Sequence, residues 1–402
     1  MVDRVSDDDF WSFKISEKSA GKECINLGSY NYLGFAESDG ECTNKALEAV
    51  RQHGLAYCSP RQELGTSGIH QELESTVAEF LGVQDAITVG MGFATNTLNL
   101  PMIISKGCLV ISDELNHASI ILGLRLSGAT VAVFKHNNVE HLEKVLRSNI
   151  VKGHPRSGRP WKKVFIVVEG VYSMEGSIVR LPEIIAIKKR YGAYLYLDEA
   201  HSVGAMGPRG RGIVDYYNLN PMDVDILMGT FTKSFGAAGG YIAGSSALIQ
   251  YFRLRSQAFV YPSAMSAPVA QQVITSMKSI MYGKGILRVA QLARNSKYFR
   301  QRLQQMGFII YGHDDSPVIP LLLFMPAKIR AFVLECLRHN VATVGVGFPA
   351  TKMTEERARF CMSAGHTKEM IDEALDIIDR VGDYLNIKYS KRKLFHGKTI
   401  QY

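Results

Sequence analysis

The sequence predicts a doubly wound α/β domain with a mostly parallel sheet, followed by a smaller α+β domain. Three observations lead there. Short apolar runs without polar alternation recur through the middle of the chain, as expected of parallel strands covered on both faces. From Val168 to Leu197 to Met228 the step is about 30 residues, which suits a strand-helix-strand unit. After about residue 280 the pattern changes to a mixture of shorter strands and helices.

Residues 86–89, 109–112, 130–134, 164–168, 193–197 and 226–228 read as the strands of the large domain. Beyond it, 287–306 has helical periodicity, and 308–311 and 318–324 look like strands. A helix over 327–338, strands over 342–346 and 360–363, and a last helix over 368–385 complete the small domain. The expected division is an N-terminal segment at 1–45, a large ligand-binding domain at 46–280 and the small domain at 281–402. The basic tail, 388–398, is expected to fray.

Composition narrows the function classes. The 402 residues are 46% apolar and 21% charged, an ordinary globular balance. The net charge of +8 permits anionic ligands or surfaces. The basic residues are not interleaved with aromatics, so nucleic acid is not an expected partner. Six cysteines, at 24, 42, 58, 108, 336 and 361, form no Cys-x-x-Cys pair and no zinc spacing. No metal site is expected, and a reducing compartment is the simplest setting. No stretch reaches the roughly 18 to 20 apolar residues that span a bilayer; 318–327 is short and broken by Pro320 and Pro326. The acidic N-terminus is no signal peptide, so the polypeptide reads as soluble or peripheral.

Ligands of open α/β sheets bind outside the carboxyl ends of the strands. One such end runs into Glu169-Gly-Val-Tyr-Ser-Met-Glu-Gly176, the next ends in Asp198-Glu-Ala-His201, and a third ends in Thr230 and reaches Lys233. A carboxylate facing a pyridine nitrogen keeps that nitrogen protonated, and the ring then serves as an electron sink. A pyridoxal phosphate (PLP) site needs such an acid and a lysine for the Schiff base; Asp198 and Lys233 supply both. The lysine must be neutral to attack a carbonyl, so cationic and partly desolvated surroundings should depress its pKa. A phosphate anchor is offered by Gly90-Met-Gly-Phe-Ala-Thr-Asn96, which opens a helix after a strand. These glycines could equally be conformational. Likewise, His117 suits either a ring stacked on a cofactor or a solvated residue at a helix N-cap, and its local context favours the cap. Local context alone leaves Lys233 evenly balanced between a cofactor lysine and a surface lysine.

These motifs, together with Ser29-Tyr-Asn-Tyr-Leu-Gly34, Gly65-Thr-Ser-Gly-Ile-His70, Glu72-Leu-Glu74, Asp113-Glu-Leu-Asn-His-Ala-Ser119 and Arg359-Phe-Cys-Met-Ser-Ala-Gly-His-Thr367, resemble the α-oxoamine synthases. These are fold-type I PLP-dependent transferases that join an amino acid to an acyl-CoA, and the match covers nearly the whole chain in order. Gly229-Thr-Phe-Thr-Lys-Ser-Phe-Gly236, Arg159-Pro-Trp-Lys-Lys163 and Val346-Gly-Phe-Pro-Ala-Thr351 are most similar to the catalytic long-chain-base type of serine palmitoyltransferase subunit.

The resemblance implies a role for each matching position. Lys233 would carry PLP and later move the α-proton. Asp198 would pair with the ring nitrogen, His201 would hydrogen-bond the ring hydroxyl, and His117 would stack on the ring. Gly92, Phe93 and Thr230 would hold the phosphate, and Ser263 would reach it across a subunit interface. Arg359 would clamp the substrate carboxylate, and Asn31 and Ser173 would contact substrate or cofactor. The implied substrates are L-serine and a long-chain acyl-CoA, and the implied partner is a similar subunit that lacks the lysine. The implied location is the cytosolic face of the endoplasmic reticulum membrane. A different synthase using glycine or alanine, or a noncatalytic subunit, are the competing readings. Two departures stand out. Lys352 follows Thr351 where the branch usually has proline, which leaves that loop freer. The N-terminal membrane segment common in the branch is not seen in this sequence. The basic stretch Lys391-Arg-Lys393 could touch anionic lipid or simply be solvated.

Overall fold

A computed structural model describes residues 2–4, 13–15, 21–155, 157–391, 394–395 and 398–402. Strands β1 (Val2–Arg4) and β2 (Phe13–Ile15) pair antiparallel, and β3 (Ile25–Asn26) follows. Helices α1 (Glu41–His53) and α2 (Gly68–Leu81) lead into the large sheet. Its elements, in chain order, are β4 (Asp85–Val89), α3 (Gly92–Ile103), β5 (Leu109–Asp113), α4 (Ala118–Ser127), β6 (Thr130–Phe134), α5 (Val139–Lys152), β7 (Val164–Glu169), α6 (Leu181–Tyr191), β8 (Tyr194–Asp198), α7 (Ile213–Tyr216), β9 (Ile226–Thr230) and β10 (Gly240–Gly244). Helices α8 (Ser246–Arg255), α9 (Gln257–Val260), α10 (Ala267–Tyr282) and α11 (Gly285–Gln305) connect it to a second sheet. That part contains β11 (Val318–Leu322), α12 (Pro326–Arg338), β12 (Val341–Ala342), β13 (Val344–Val346), β14 (Arg357–Cys361) and α13 (Lys368–Tyr384).

The large sheet has the order β4-β10-β9-β8-β7-β5-β6, with β10 antiparallel to both neighbours and the other pairings parallel. Its inner strands lack polar alternation because both faces are covered, whereas the edge strand β6 leaves Val131 and Val133 exposed. Val110, Val167, Tyr196, Met228 and Ile242 face one apolar cluster, with α3, α4 and α8. Ile111, Val168, Leu197 and Leu227 face the other, which runs on into the second sheet. Strand β10 is not among the strands expected above, and its glycines have a structural use. They are there for close approach: a Cβ on Gly240 would lie 2.6 Å from the Gly229 carbonyl oxygen, and one on Gly229 would lie 2.3 Å from the Tyr241 hydroxyl.

The second sheet, β11-β14-β13, is antiparallel. Two strand expectations change here. Residues 308–311 contribute only a bridge from Ile310 to Leu321, not a strand. The run 342–346 splits at Thr343 into β12 and β13, which pair with different partners. Strand β12 pairs in parallel with β3, with Ile25 N donating to Asn340 O (2.8 Å), so the N-terminal segment is built into the C-terminal part of the fold. Of the stretch expected to fray, 388–398, residues 392, 393, 396 and 397 lie outside the described residues, and beyond it the chain end is held in place. The Tyr402 hydroxyl donates to buried Asn295 (2.8 Å), its ring meets Tyr298 edge-on at 5.4 Å, and Gln305 donates to Lys398 O (2.9 Å). The polar residues along α11 supply partners that the tail sequence does not show. Among the described residues, no helix is long and apolar enough to cross a membrane.

Edge strand β4 is fastened by buried charge. Glu74 accepts from Arg61 Nη1 (3.0 Å) and Thr88 N (3.0 Å), and Arg253 bridges Glu74 (3.3 Å) and Asp85 (2.6 Å). Removing one partner strands a buried charge, whereas replacing a pair with apolar groups does not. Glu74→Ala should therefore lower stability by about 3–5 kcal/mol, read from urea unfolding midpoints. The double variant Arg61→Met, Glu74→Leu should lose less than the single one.

Candidate active site

The carboxyl ends of β7, β8 and β9 lie side by side, as their register pairs Glu169 with Asp198 and Asp198 with Met228. Asp198 is buried and fixed from two sides. Its Oδ1 accepts from Ala200 N (2.9 Å), and its Oδ2 accepts from Asn96 Nδ2 (2.8 Å). Asn96 sits on α3, where it also donates to Ser119 Oγ (2.9 Å) and accepts from the Tyr196 hydroxyl (2.6 Å). Every polar atom of this Asn–Asp–Tyr network is engaged, as buried polar groups require.

His201 is buried, and its Nδ1 lies 2.8 Å from the Tyr32 hydroxyl. Burial holds its imidazole well below the usual range, reinforced by Lys233, Arg359 and His117, so the ring is neutral near pH 7. Lys233 is half-buried, with Nζ 5.6 Å from the centre of the Tyr30 ring. Burial lowers its pKa, while Asp198, Glu169 and Cys361 oppose and Arg359 reinforces the shift. The depression expected from the sequence is present, but desolvation is its main cause and neighbouring carboxylates work against it. Burial, then the Asp198 charge, pushes Glu169 well above the carboxylate range, although the His117 backbone N–H donates to it.

His117 is the N-cap residue of α4. Its Nδ1 accepts from Ser119 N (3.2 Å) and lies 2.7 Å from Ser119 Oγ, and the residue as a whole is exposed. Capping and ring stacking are thus compatible, because the cap uses the ring edge and leaves ring surface accessible. Burial lowers the His117 pKa; Asp198 opposes the shift and Lys233 adds to it. Phe93 meets His117 edge-on at 6.1 Å.

The first turn of α3 faces the same strand ends. The first helical hydrogen bond runs from Thr95 N to Met91 O (3.0 Å), so the N–H groups of Gly92, Phe93 and Ala94 have no partner within the helix. A Cβ on Gly92 would lie 2.7 Å from Thr230 Oγ1. Thr230 Oγ1 donates to Gly239 O (2.9 Å), accepts from Thr232 N (3.1 Å) and is 2.6 Å from Thr232 Oγ1. Free N–H groups at a helix start form a donor set suited to a phosphate, with the Thr230 and Thr232 hydroxyls beside them, which themselves donate to Gly239 O and Thr230 Oγ1.

Arg359 on β14 enters from the second sheet. Its guanidinium lies 4.6 Å from the Tyr30 ring centre and its Nη1 is 3.8 Å from Met174 Sδ. Its Nε is buried without a hydrogen-bond partner, and no carboxylate pairs with it among the described residues. A buried cation left this way is costly unless an anion joins it, so the site has room in its charge balance for an anionic ligand. Lysine, acid, neutral imidazole, phosphate donors and unpaired arginine together fit PLP with a carboxylate-bearing substrate.

Some expected residues lie further out. Asn31 is next to Tyr30, but its Oδ1 accepts from Ala36 N (3.3 Å) and its carbonyl from Ser363 Oγ (2.6 Å). Ser173 is buried in the turn after β7, beside Met174. Ser263 is exposed after α9, where it bridges Pro60. Sequence reasoning missed Tyr30, Tyr32, Asn96 and Tyr196. Tyr30 lies inside a quoted motif and Asn96 ends another, but nothing local links Asn96 to an acid 102 positions away.

Residues 22–378 match the family described as aminotransferase class I and II. The chain is 54% identical to serine palmitoyltransferase 3 of Homo sapiens, over 98% of this chain and 72% of that protein. It is 52% identical to serine palmitoyltransferase 2 of Caenorhabditis elegans (100% and 73%) and 50% identical to long chain base biosynthesis protein 2b of Arabidopsis thaliana (97% and 80%). Among solved structures, Sphingomonas wittichii serine palmitoyltransferase superposes with a TM-score of 0.86 at 28% identity, over 93% of this chain and 92% of that one. A structure of the same kind of enzyme with PLP as an internal aldimine gives 0.85 at 28% identity, with the same coverage. The chain belongs to the aminotransferase class I and II family and, within it, to the serine palmitoyltransferase group.

Proposed function

We propose that this chain is the catalytic subunit of a PLP-dependent serine palmitoyltransferase. It joins L-serine to a long-chain acyl-CoA such as palmitoyl-CoA, with loss of carbon dioxide and CoA, and gives 3-oxosphinganine. The observation that carries the reading is the pairing of two unlike cations around Tyr30. Lys233 has a depressed pKa, and Arg359 is buried with no carboxylate partner. One gives up its proton more readily than a solvated lysine, and the other remains a permanent cation awaiting an anion.

When bound here, PLP supplies the electron sink for charge left on the substrate carbon. The protein groups then have distinct tasks. The free N–H groups at Gly92 and Phe93, with the Thr230 hydroxyl, would hold the phosphate. Asp198, fixed by Asn96, would pair with the ring nitrogen; His201 would meet the ring hydroxyl and His117 would cover a ring face. Lys233 would attach the cofactor as a neutral amine and afterwards take the serine α-proton at Nζ. Arg359 would hold the serine carboxylate in a bidentate fork until it leaves, with Asn31 and Ser173 near the substrate. Ser263 would serve a phosphate only from a second subunit.

Around this core we place a large cofactor domain at 46–280 and a small domain at 281–402, with 1–45 as the entering segment. The partner would be a related subunit without the lysine, and the complex would sit at the cytosolic face of the endoplasmic reticulum. On the exposed loop after β13, Lys352 pairs with Glu355 (3.4 Å), and Phe348 and Met353 are exposed nearby. This loop is the natural place for differences in acyl-CoA handling.

Co-expression with the lysine-less subunit, followed by product analysis with serine and palmitoyl-CoA, tests the function. Preference for glycine or alanine with a shorter acyl-CoA would assign a different synthase. Lys233→Ala should abolish the near-visible absorbance of lysine-bound PLP and lower turnover by roughly a thousandfold or more; a retained band would remove Lys233 from its role. Arg359→Lys keeps the charge and loses the fork, so KM for serine should rise by roughly 10- to 100-fold, with KM for acyl-CoA less affected. The sign of the pH effect follows from the depressed lysine pKa. The neutral amine fraction grows as pH rises through that pKa, so PLP uptake by cofactor-free protein should accelerate with pH and then level off. Stopped-flow absorbance would check this, and a flat profile would overturn the neutral-amine argument.

A further inference from the structure

The net charge of +8 is distributed very unevenly. Residues 144–163 contain seven lysines and arginines and no aspartate or glutamate, so the rest of the chain is nearly balanced. The stretch includes Arg159-Pro-Trp-Lys-Lys163, a motif the catalytic site does not use. On α5, Lys144, Arg147 and Val151 recur at spacings of three and four, opposite the buried Leu142 and Leu146, so they share the solvent face. Val151 is 82% exposed. The chain then folds back over the end of the helix. His154 N donates to Arg159 O (2.9 Å), and Trp161 Nε1 donates to Asn149 O (2.8 Å). This ordered turn sets Arg159, Lys162 and Lys163 beside Lys152, all exposed and without an ion pair among the described residues. Lys106 extends the patch, since Lys162 N donates to the adjacent Gly107 O (3.0 Å).

We propose that this face of α5 and the turn after it form a docking surface for an anionic phospholipid membrane. The cations are spread over an open surface and surround an exposed valine. Lys163 lines a cleft with Phe165, Tyr194 and Asp225, while Lys144, Arg147 and Lys152 stand on the open face of α5, so these described cations do not gather round one phosphate-sized pocket. Trp161 is half-buried and pinned by Asn149, so no row of exposed aromatics offers stacking to nucleic-acid bases. Multiple lysines and arginines beside an exposed apolar side chain match a laterally mobile anionic surface, where each cation adds to binding. The turn precedes the amino end of β7, whereas Lys233 and Asp198 lie at the carboxyl ends of the strands. The surface is therefore separate from Lys233 and Asp198 and independent of the catalytic proposal.

The test compares the PLP-loaded chain with Lys144→Gln, Arg147→Gln, Lys152→Gln and, separately, with Lys391→Gln, Arg392→Gln, Lys393→Gln. Co-sedimentation is measured with phosphatidylcholine vesicles, with and without a minor fraction of phosphatidylserine. Wild type should bind the anionic vesicles far better than the neutral ones and lose binding as salt rises. The α5 variant should bind at least about tenfold more weakly, with unchanged unfolding temperature and unchanged turnover of soluble acyl-CoA. Three results would overturn the proposal: equal binding by the α5 variant, loss confined to the tail variant, or displacement by single-stranded RNA at concentrations too low for the vesicles to compete.

Discussion

The hydrogen bond from Asn96 to Asp198 (2.8 Å) links the two halves of the site. Asn96 is one turn into α3, whose first N–H groups face the phosphate position, and Asp198 ends β8. The bond therefore sets the spacing between an anion-binding helix start and a buried acid. Tyr196 and Ser119 occupy the remaining polar atoms of Asn96, so the side chain has one satisfied arrangement. A site that must hold a ring by its phosphate and by its nitrogen depends on that spacing.

Charge is managed around this link by burial more than by pairing. Glu169 and Asp198 adjoin at neighbouring strand ends, and burial raises Glu169 so that both need not be ionised. Lys233 and Arg359 share the Tyr30 ring, whose π face stabilises a cation without neutralising it. His201, pressed against Tyr30 edge-on at 5.1 Å and bonded to Tyr32, stays neutral among these cations. The short N-terminal segment that carries both tyrosines is held by β3 pairing with β12. A strand of two residues thereby positions the aromatic floor of the site.

The molecule is also polar on a larger scale. Its reactive groups gather at the carboxyl ends of the strands, while its excess positive charge gathers on α5 and the turn leading to β7. Chemistry and surface attachment are then carried by different ends of the same sheet, so either can change without disturbing the other.

Local sequence determined the parts that rest on periodicity and residue chemistry. The uninterrupted apolar runs of β5, β7, β8 and β9 marked buried parallel strands, and Lys233, Asp198 and His201 at strand ends marked cofactor chemistry. The resemblance then decided between alternatives that local context left open, as at His117. Tertiary structure decided what depends on distant partners. Strand β10 exists because Gly240 can approach Gly229, and 308–311 shortens to a single bridge at Ile310, where Ile309 O accepts from Leu322 N and Tyr311 N donates to Pro320 O. Tyr30 and Asn96 became site residues only when the chain brought them to Arg359, Lys233 and Asp198. The depressed pKa of Lys233 was legible as a requirement with desolvation as one cause, but that desolvation outweighs the opposing Asp198 and Glu169 was not. The extent of desolvation is a property of the packed site, and no stretch of sequence carries it.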